Sequence, residues 1–333
     1  SPRRPTTDTP GRRFSSGQTV VIPQPGPMAR SVSDLKLRMK VLADPPMERT
    51  PDQVPPVLWS DPDEVSLEGL KVAYYTDNGV FPVSPALKRA VEESVTALRE
   101  KGVSVEPFTP PDIAKEWLMY FEINASGGKE SVLRTLNGSE PNILLKAFVT
   151  GLTTPDPILR LVAWNMERSG QKRLATILRS LMKISGEGYW KLAERINNYI
   201  ERFNSALDEA GFDAIICPPY ATVAPPHGYT GEIGPSAGSH CILYNLLGMP
   251  AGVVSVTTVQ EGEEFEESRQ GSSDPSDHAA IEIEKDSAGL PVGVQVVGRH
   301  WREDVVLTVM EALEGHFEDM PTYPLNQRLA LDS

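Results

Sequence analysis

The chain of 333 residues contains only two cysteines, Cys217 and Cys241, and five histidines. Two cysteines are too few for a disulfide framework and favour a reducing compartment. The histidines are scattered, without the H-x-x-x-H or C-x-x-C spacing of a zinc site, and a P-loop and a G-x-G-x-x-G turn are missing as well. His240 directly precedes Cys241, and adjacent residues of a helix point in different directions, so a Cys–His pair is not expected. The sequence therefore predicts no metal and no cofactor.

The chain also lacks net positive charge and a long apolar run. Its net charge of −13 excludes the broad basic face that a nucleic-acid partner would need. The longest apolar stretch, residues 242–256, is interrupted by asparagine, glycine and proline, so no run of about 20 apolar residues could span a bilayer. A secretory signal is missing at the start of the chain. We therefore expect an intracellular protein that meets a membrane only at its surface.

Apolar residues make up 40% of the sequence, enough to bury a core. Two short apolar runs, residues 70–75 and 103–108, flank a helical pattern that Gly102 ends. This strand–helix–strand series predicts a βαβ unit with a parallel pair of strands, and therefore an α/β protein. Residues 112–210, which follow, have a mostly helical pattern.

Residues 251–259 and 290–297 are the clearest strands further along the chain. Both are continuous and rich in β-branched residues, as central parallel strands are. Between them, residues 261–286 contain ten acidic and two basic residues, and their net charge of −8 accounts for most of the total of −13. We interpret this segment as a solvated, mobile surface insertion. The alternative is a regulatory or partner-binding segment.

One nucleophile motif, G-x-S-x-G, surrounds Ser236. Asp286 and His300 follow it in the serine, acid, histidine order of α/β-hydrolases. The motif needs a buried strand directly before the serine, whereas residues 225–232 are rich in proline and glycine. We therefore interpret Ser236 or Ser239 as the cap of the helix that follows, and not as a nucleophile.

Residues 142–184 combine helical apolar periodicity with basic charge. From Leu174 to Leu181, leucine and isoleucine recur at i, i+3, i+4 and i+7. Residues 158–184 contain six basic residues and one acidic residue. A basic amphipathic helix pair that carries tryptophan is typical of an interfacial membrane patch. An ordinary core helix pair with a solvated basic face has the same pattern, so the residues alone leave both interpretations open.

Three segments resemble motifs of amidase-signature enzymes. Residues 26–35, GPMARSVSDL, are similar to the family's G-P-M-A-R-[ST]-V-x-D-L segment. Residues 243–254 resemble its N-x-x-G-x-P-A-x-x-V segment, and residues 289–298 its G-L-P-x-G-x-Q-x-x-G strand. They occur in the family's order, so the resemblance extends over nearly the whole chain. The valine-rich run at 253–259 and the tryptophan at 301 are similar to the fatty-acid-amide hydrolase branch.

The resemblance implies an amidase-signature fold, a mixed twisted sheet covered by helices on both faces, with residues 1–333 as the C-terminal part of one domain. It also implies hydrolysis of amides by a Ser–Ser–Lys triad. In that triad, the lysine deprotonates a bridging serine, which activates the nucleophilic serine, and backbone groups stabilise the oxyanion.

In this family the lysine and the Gly/Ser-rich signature with both serines precede the G-P-M-A-R segment. Only about 25 residues precede it here, and they are similar to the stretch that follows the nucleophile. Ser15 and Ser16 are therefore not assigned as catalytic, and the resemblance transfers no catalytic residue. We expect this chain to be inactive alone.

In the fatty-acid-amide hydrolase branch, the segment matching 142–184 forms an amphipathic cap on the membrane through which lipid amides enter. The resemblance therefore favours a peripheral membrane protein and a homodimer. By position, Leu181, Met182 and Trp301 are expected to contact the acyl chain. The residues expected to face the membrane are Leu159, Leu161, Val162, Trp164, Leu174 and Leu178.

Two alternatives to a fatty-acid-amide hydrolase remain. One is an amidase for small polar amides or a glutamyl-tRNA amidotransferase A-type subunit, although such a protein has no use for an amphipathic cap. The other is a non-catalytic binding protein on a partial amidase fold, although the loss of strands would leave apolar sheet edges exposed.

Overall fold

The computed structural model describes residues 20–22, 24, 26–43, 58–127, 134, 136, 138–141 and 143–324. Ser15 and Ser16 lie outside the described residues. In chain order the elements are α1 (Val32–Ala43), β1 (Lys71–Tyr74), α2 (Pro85–Glu100), β2 (Ser104–Pro107), α3 (Ile113–Glu116), α4 (Met119–Ala125), α5 (Ile143–Thr153), α6 (Asp156–Arg168), α7 (Lys172–Ser180), α8 (Gly186–Ala210), β3 (Ala214–Cys217), α9 (Thr230–Ile233), α10 (Ser239–Leu247), β4 (Ala251–Thr258), α11 (Pro275–Glu284), β5 (Pro291–Gly298) and α12 (Glu303–Phe317).

The βαβ unit is present as predicted. β1 and β2 pair in parallel, and α2 connects them. Pro85 is the first residue of α2. Proline suits this position because the backbone N–H that it lacks would have no partner within the helix. Gly102 follows the last turn with φ of +83°, a conformation that lets the chain reverse into β2.

The described strands form one mixed sheet in the order β2-β1-β3-β5-β4. β1 also pairs with β3 in parallel, whereas β5 is antiparallel to both β3 and β4. The prediction that β4 and β5 are central parallel strands was therefore wrong. The sequence of β5 is continuously apolar because side chains on both of its faces are buried, and burial of both faces does not depend on strand direction.

Helices cover both faces of the sheet, as the resemblance implied. Val72, Ile216 and Val294 point to the face that packs against α2, α11 and α12. Ala73, Ile215 and Val297 point to the opposite face, against α4, α8 and α10. Each fully buried aliphatic side chain of this kind contributes about 1.5–3 kcal/mol to folding, so the two faces together hold the sheet in place.

The helix α8 is the longest one described, with 25 residues. The hydroxyl of Ser185 caps it by accepting a hydrogen bond from the backbone N–H of Gly188 at 3.0 Å. One stripe, which includes Tyr199 and Phe203, is buried against the sheet. Among the described helices, none is both long enough and apolar enough to cross a bilayer.

The acidic segment, residues 261–286, differs from the expected solvated insertion. Its second part forms α11, whose Ala280 and Ile283 lie in the core at 0% and 1% exposure. Arg269 and Glu284 form an ion pair at 0% exposure. The interpretation as a surface insertion was therefore wrong for this part of the segment. Its charges can be buried because they pair with each other and with polar groups of the core.

Candidate functional site

The helices α5, α6 and α7, residues 143–180, form a layer that we call the cap helices. Their inner side packs against α4 through a small apolar cluster. In this cluster the rings of Trp117 and Phe121 meet edge to face, with centroids 5.4 Å apart. Gly151 of α5 allows a close approach, since a Cβ atom there would lie 2.8 Å from a methyl carbon of Leu181. The inner side of the cap helices is therefore anchored on α4.

The outer side of α6 exposes large apolar side chains. Ile158, Leu161, Val162 and Trp164 are 52%, 64%, 38% and 52% exposed. The guanidinium of Arg168 lies over the indole of Trp164, 5.0 Å from the ring. Exposed basic residues flank the same surface: Arg160, Arg168 and Lys172. We call Ile158, Leu161, Val162 and Trp164 the outer face of α6.

The six predicted membrane-facing residues fall into two groups. Leu161, Val162 and Trp164 lie on the outer face of α6. Leu159 is buried, at 4% exposure, on the opposite side of the same helix. Leu178 of α7 is half-buried against the apolar cluster beneath the cap helices, and Leu174 is half-buried near Gly234. The helical pattern identified the apolar positions but did not separate the inward ones from the outward ones.

The three predicted acyl-binding residues are not brought together. Leu181 is buried in the cluster beneath the cap helices, and Met182 beside it is half-buried. Trp301 is 55% exposed and has φ of +64° in the turn after β5. Its neighbour His300 bonds the carbonyl of Leu247, which places this turn at the C-terminal end of α10. Leu181 packs near the other end of α10.

A buried polar cluster at the carboxyl ends of β1 and β3 escaped the sequence-based prediction. The hydroxyls of Tyr75 and Tyr244 are 3.0 Å apart, and the thiol of Cys217 donates to the hydroxyl of Tyr244 at 3.9 Å. The amide of Gln295 donates to the sulfur of Cys217 at 3.4 Å. His240 stacks on the ring of Tyr75, with centroids 5.9 Å apart. Only Gln295 carried a signal, as the glutamine of the G-L-P-x-G-x-Q strand.

Burial keeps the polar cluster uncharged. It raises the pKa of Cys217 to about 11 and lowers the pKa of His240 to about 3. It also raises the pKa of the Tyr75 and Tyr244 hydroxyls. At neutral pH the cluster therefore offers neither a thiolate nor an imidazolium, and it joins the ends of the strands to α10.

The G-x-S-x-G motif does not form a catalytic triad. Ser236 lies before the N-terminal end of α10, and His300 is bonded at the C-terminal end. The nine residues of α10 separate the two by about 13 Å. Asp286 is exposed, beyond the end of α11.

The capping interpretation was wrong as well. Gly238 is the N-cap residue of α10, and no side chain caps it. The hydroxyl of Ser239 instead accepts a hydrogen bond from the amide of Asn78 at 3.0 Å. The Ser236 hydroxyl is buried without a hydrogen-bond partner among the described residues. His240 and Cys241 point in different directions, since His240 is buried and Cys241 is exposed. Over the part of the chain that is described, no group of three metal-ligating side chains is found.

Comparison with known proteins identifies relatives over almost the whole chain. Fatty-acid amide hydrolase 1 of Sus scrofa is 33% identical over 306 residues, which are 90% of this chain and 52% of that protein. The Caenorhabditis elegans fatty acid amide hydrolase 1 is 31% identical, with the same shares. The acetamidase of Emericella nidulans is 28% identical, over 89% of this chain and 51% of that protein. The chain thus spans about half the length of the relatives it matches.

Solved structures show the same fold. A fatty acid amide hydrolase superposes with a TM-score of 0.65 at 23% identity, over 91% of this chain and 49% of that chain. The 6-aminohexanoate cyclic dimer hydrolase superposes with a TM-score of 0.56 at 18% identity, over 89% and 55%. A family model described as Amidase matches residues 3–307. The chain therefore belongs to the amidase-signature family.

Proposed function

We propose that the full-length protein hydrolyses fatty-acid amides, and that this chain contributes the acyl channel and the cap by which the enzyme rests on a membrane. The outer face of α6 carries the proposal. It presents four large apolar side chains between basic ones. Such a surface suits the boundary between acyl chains and anionic headgroups. The similarity to the fatty-acid amide hydrolases of Sus scrofa and Caenorhabditis elegans supports the choice of substrate.

The proposed acyl contacts lie on the inner side of the cap helices. Leu181 is buried in the apolar cluster against α4, and Met182 beside it is half-buried. We propose that the acyl chain of the substrate contacts both residues. Trp301 is a separate proposed contact, in the turn after β5. We also propose peripheral membrane association and a homodimer.

The proposal assigns the catalytic serines and lysine to the part of the full-length protein that this chain does not cover. A serine-directed fluorophosphonate probe should therefore label the full-length protein and leave this chain unlabelled. Labelling of this chain at Ser236 would contradict the assignment.

Substrate chain length provides the test of activity. The full-length protein should hydrolyse a long-chain acyl amide with kcat/KM at least tenfold above that for acetamide, because each buried methylene adds about 0.8 kcal/mol of binding. A preference for acetamide would instead favour the activity named for the Emericella nidulans relative.

Membrane contact is tested by flotation with liposomes that contain anionic lipid. Leu161→Glu should reduce the membrane-bound fraction about tenfold, because a leucine that loses its apolar contact loses about 1.5–3 kcal/mol. Leu37→Glu is the matched control: Leu37 lies on α1 and is 63% exposed, against 64% for Leu161. Equal flotation of Leu161→Glu and the wild-type protein would contradict a membrane-facing cap.

A further inference from the structure

Arg173 joins the cap helices to the acidic segment. Nη1 of Arg173, in α7, donates to Oδ1 of Asp277 at 2.8 Å and to Oδ2 of Asp274 at 3.2 Å. The side chains of Asp274 and Asp277 are only 7% and 6% exposed, and that of Arg173 is 25% exposed. This contact is therefore shielded from water, unlike the exposed pair between Arg179 and Glu167 on the same layer.

Contacts within the acidic segment also hold both partners of Arg173 in place. Asp274 caps α11 by accepting from the backbone N–H of Ser276 at 3.0 Å. Asp277 accepts from the hydroxyl of Ser272 at 2.6 Å. The guanidinium of Arg173 also lies over the ring of Phe81, 4.7 Å from its centroid. A planar guanidinium can make this stacking contact and bind carboxylates, whereas a lysine ammonium cannot stack in the same way.

Two further contacts hold the N-terminal end of α7. Gly170, in the turn before α7, has φ of +91°, and a Cβ atom there would overlap the hydroxyl of Ser273 in the acidic segment. Leu174 follows Arg173 and lies within 3.4 Å of the Cβ position of Gly234, beside Ser276. The N-terminal turn of α7 thus contacts residues 273–277 and Gly234, while its C-terminal end carries Leu178 and leads to Leu181.

We propose that Arg173 is a positioning residue for the acyl channel. By binding Asp274 and Asp277 it fixes the N-terminal end of α7, and so holds Leu178 and Leu181 in place for the acyl chain. Asp274 and Asp277 of the acidic segment then support the cap helices. The inference rests on the proposed function, because it assigns the acyl chain to the inner side of α7.

Arg173→Gln, made in the full-length protein, tests the proposal by amide hydrogen exchange and by kinetics. We expect residues 172–181 to exchange at least tenfold faster. KM for a long-chain acyl amide should rise about fivefold with kcat changed less than twofold, because the reacting atoms are not touched. Arg173→Lys keeps the positive charge, so its exchange rate and KM should lie between those of the wild type and of Arg173→Gln. Asp277→Asn removes the charge of the other partner and should also speed the exchange of residues 172–181 and raise KM. It provides a second variant if Arg173→Gln folds poorly.

Arg89→Gln is the matched control. Arg89 also binds the acidic segment, at Glu263, with a side chain that is 20% exposed, but it belongs to α2 and does not touch the cap helices. It should leave the exchange of residues 172–181 and KM unchanged. Unchanged exchange in Arg173→Gln would overturn the proposal, as would equal effects of both variants on KM. If the wild-type protein hydrolyses no fatty-acid amide, the proposed function fails, while faster exchange in Arg173→Gln alone would still show that Arg173 holds α7.

Discussion

Two regions of this chain each carry a strong excess of one charge, one acidic and one basic, but they differ in how far the structure buries them. The acidic segment, residues 261–286, and the basic residues 158–184 both contain an excess of one charge that indicates a solvated surface. In the structure, the acidic segment buries Arg269, Glu284 and the apolar side of α11. The basic region keeps five of its six cations exposed, all except Arg173, and also exposes the outer face of α6. The two regions meet at Arg173.

The difference shows that net charge does not report where a charged side chain lies. A carboxylate can be buried when a cation and hydroxyl donors surround it. Glu284 has both, since it binds Arg269 and accepts from the hydroxyl of Ser84. The basic region has few acidic partners, so most of its cations remain in water. The partner of each charge, and not the count of charges, decides which region is buried.

Removal of one arginine from each region should give the largest difference in the free energy of unfolding. Arg269→Met leaves Glu284 buried without its cation, and it also removes the hydrogen bond from Arg269 to the carbonyl of Pro82. We expect the free energy of unfolding to fall by about 3–5 kcal/mol. Arg179→Met removes an exposed pair in the cap helices and should leave the urea midpoint unchanged.

The double variant Arg269→Met/Glu284→Leu serves as the control for this contrast. It removes both charges, so its loss of stability should be smaller than that of Arg269→Met alone. Equal urea midpoints for Arg269→Met and Arg179→Met would show that the buried pair is not what distinguishes the two regions.

Truncation of one isoleucine in each region should separate their apolar surfaces. Ile283 of α11 is 1% exposed, and Ile283→Ala should reduce the free energy of unfolding by about 2–5 kcal/mol. Ile158 of α6 is 52% exposed, and Ile158→Ala should change it by less than about 0.5 kcal/mol. Urea unfolding of both variants measures the difference. A comparable loss in Ile158→Ala would mean that another surface covers the outer face of α6 in solution.

Much of the fold could be predicted because the spacing of apolar residues and the glycines and prolines that end helices are local features of the sequence. Gly102 ends α2 with a positive φ, as its place after the helical pattern predicted. Strand direction could not be predicted, because a strand buried on both faces has the same composition in either direction. The fold of residues 269–284 was missed because its pairing depends on Ser84, about 200 positions away in the chain.

The candidate site was predicted less well than the fold. The positions from Leu159 to Leu178 were correctly identified as a helical apolar pattern, but the pattern does not say which side of a helix another layer covers. The polar cluster depends on contacts such as that between Tyr75 and Tyr244, which are 169 residues apart in sequence. No local pattern encodes such a distance.

The smallest expected difference between the two regions is in how their ion pairs affect stability at low pH. Partial burial acts to raise the pKa of Glu263, but hydrogen bonds from Arg89 and from the backbone N–H of Gln260 outweigh it, so the pKa lies below the ordinary value of 4.5. A carboxyl group with a lowered pKa binds fewer protons when folded than when unfolded. Its stabilising effect is therefore present above pH 4.5 and is lost as the pH falls through the folded-state value.

Arg89→Gln should therefore flatten the fall of Tm between pH 5 and pH 3, by an amount equivalent to less than about 1 kcal/mol because the pair is only partly buried. Arg179→Gln is the matched control in the basic region. Its hydrogen bond lowers the pKa of Glu167, but both side chains of this pair are exposed to water, so the acid branch of the Tm curve should match the wild type. The measurement is a thermal melt at each pH at fixed ionic strength. Identical acid branches for the wild type and Arg89→Gln would mean that pairing does not stabilise the acidic segment at its exposed end, and would confine the contrast to the buried pair.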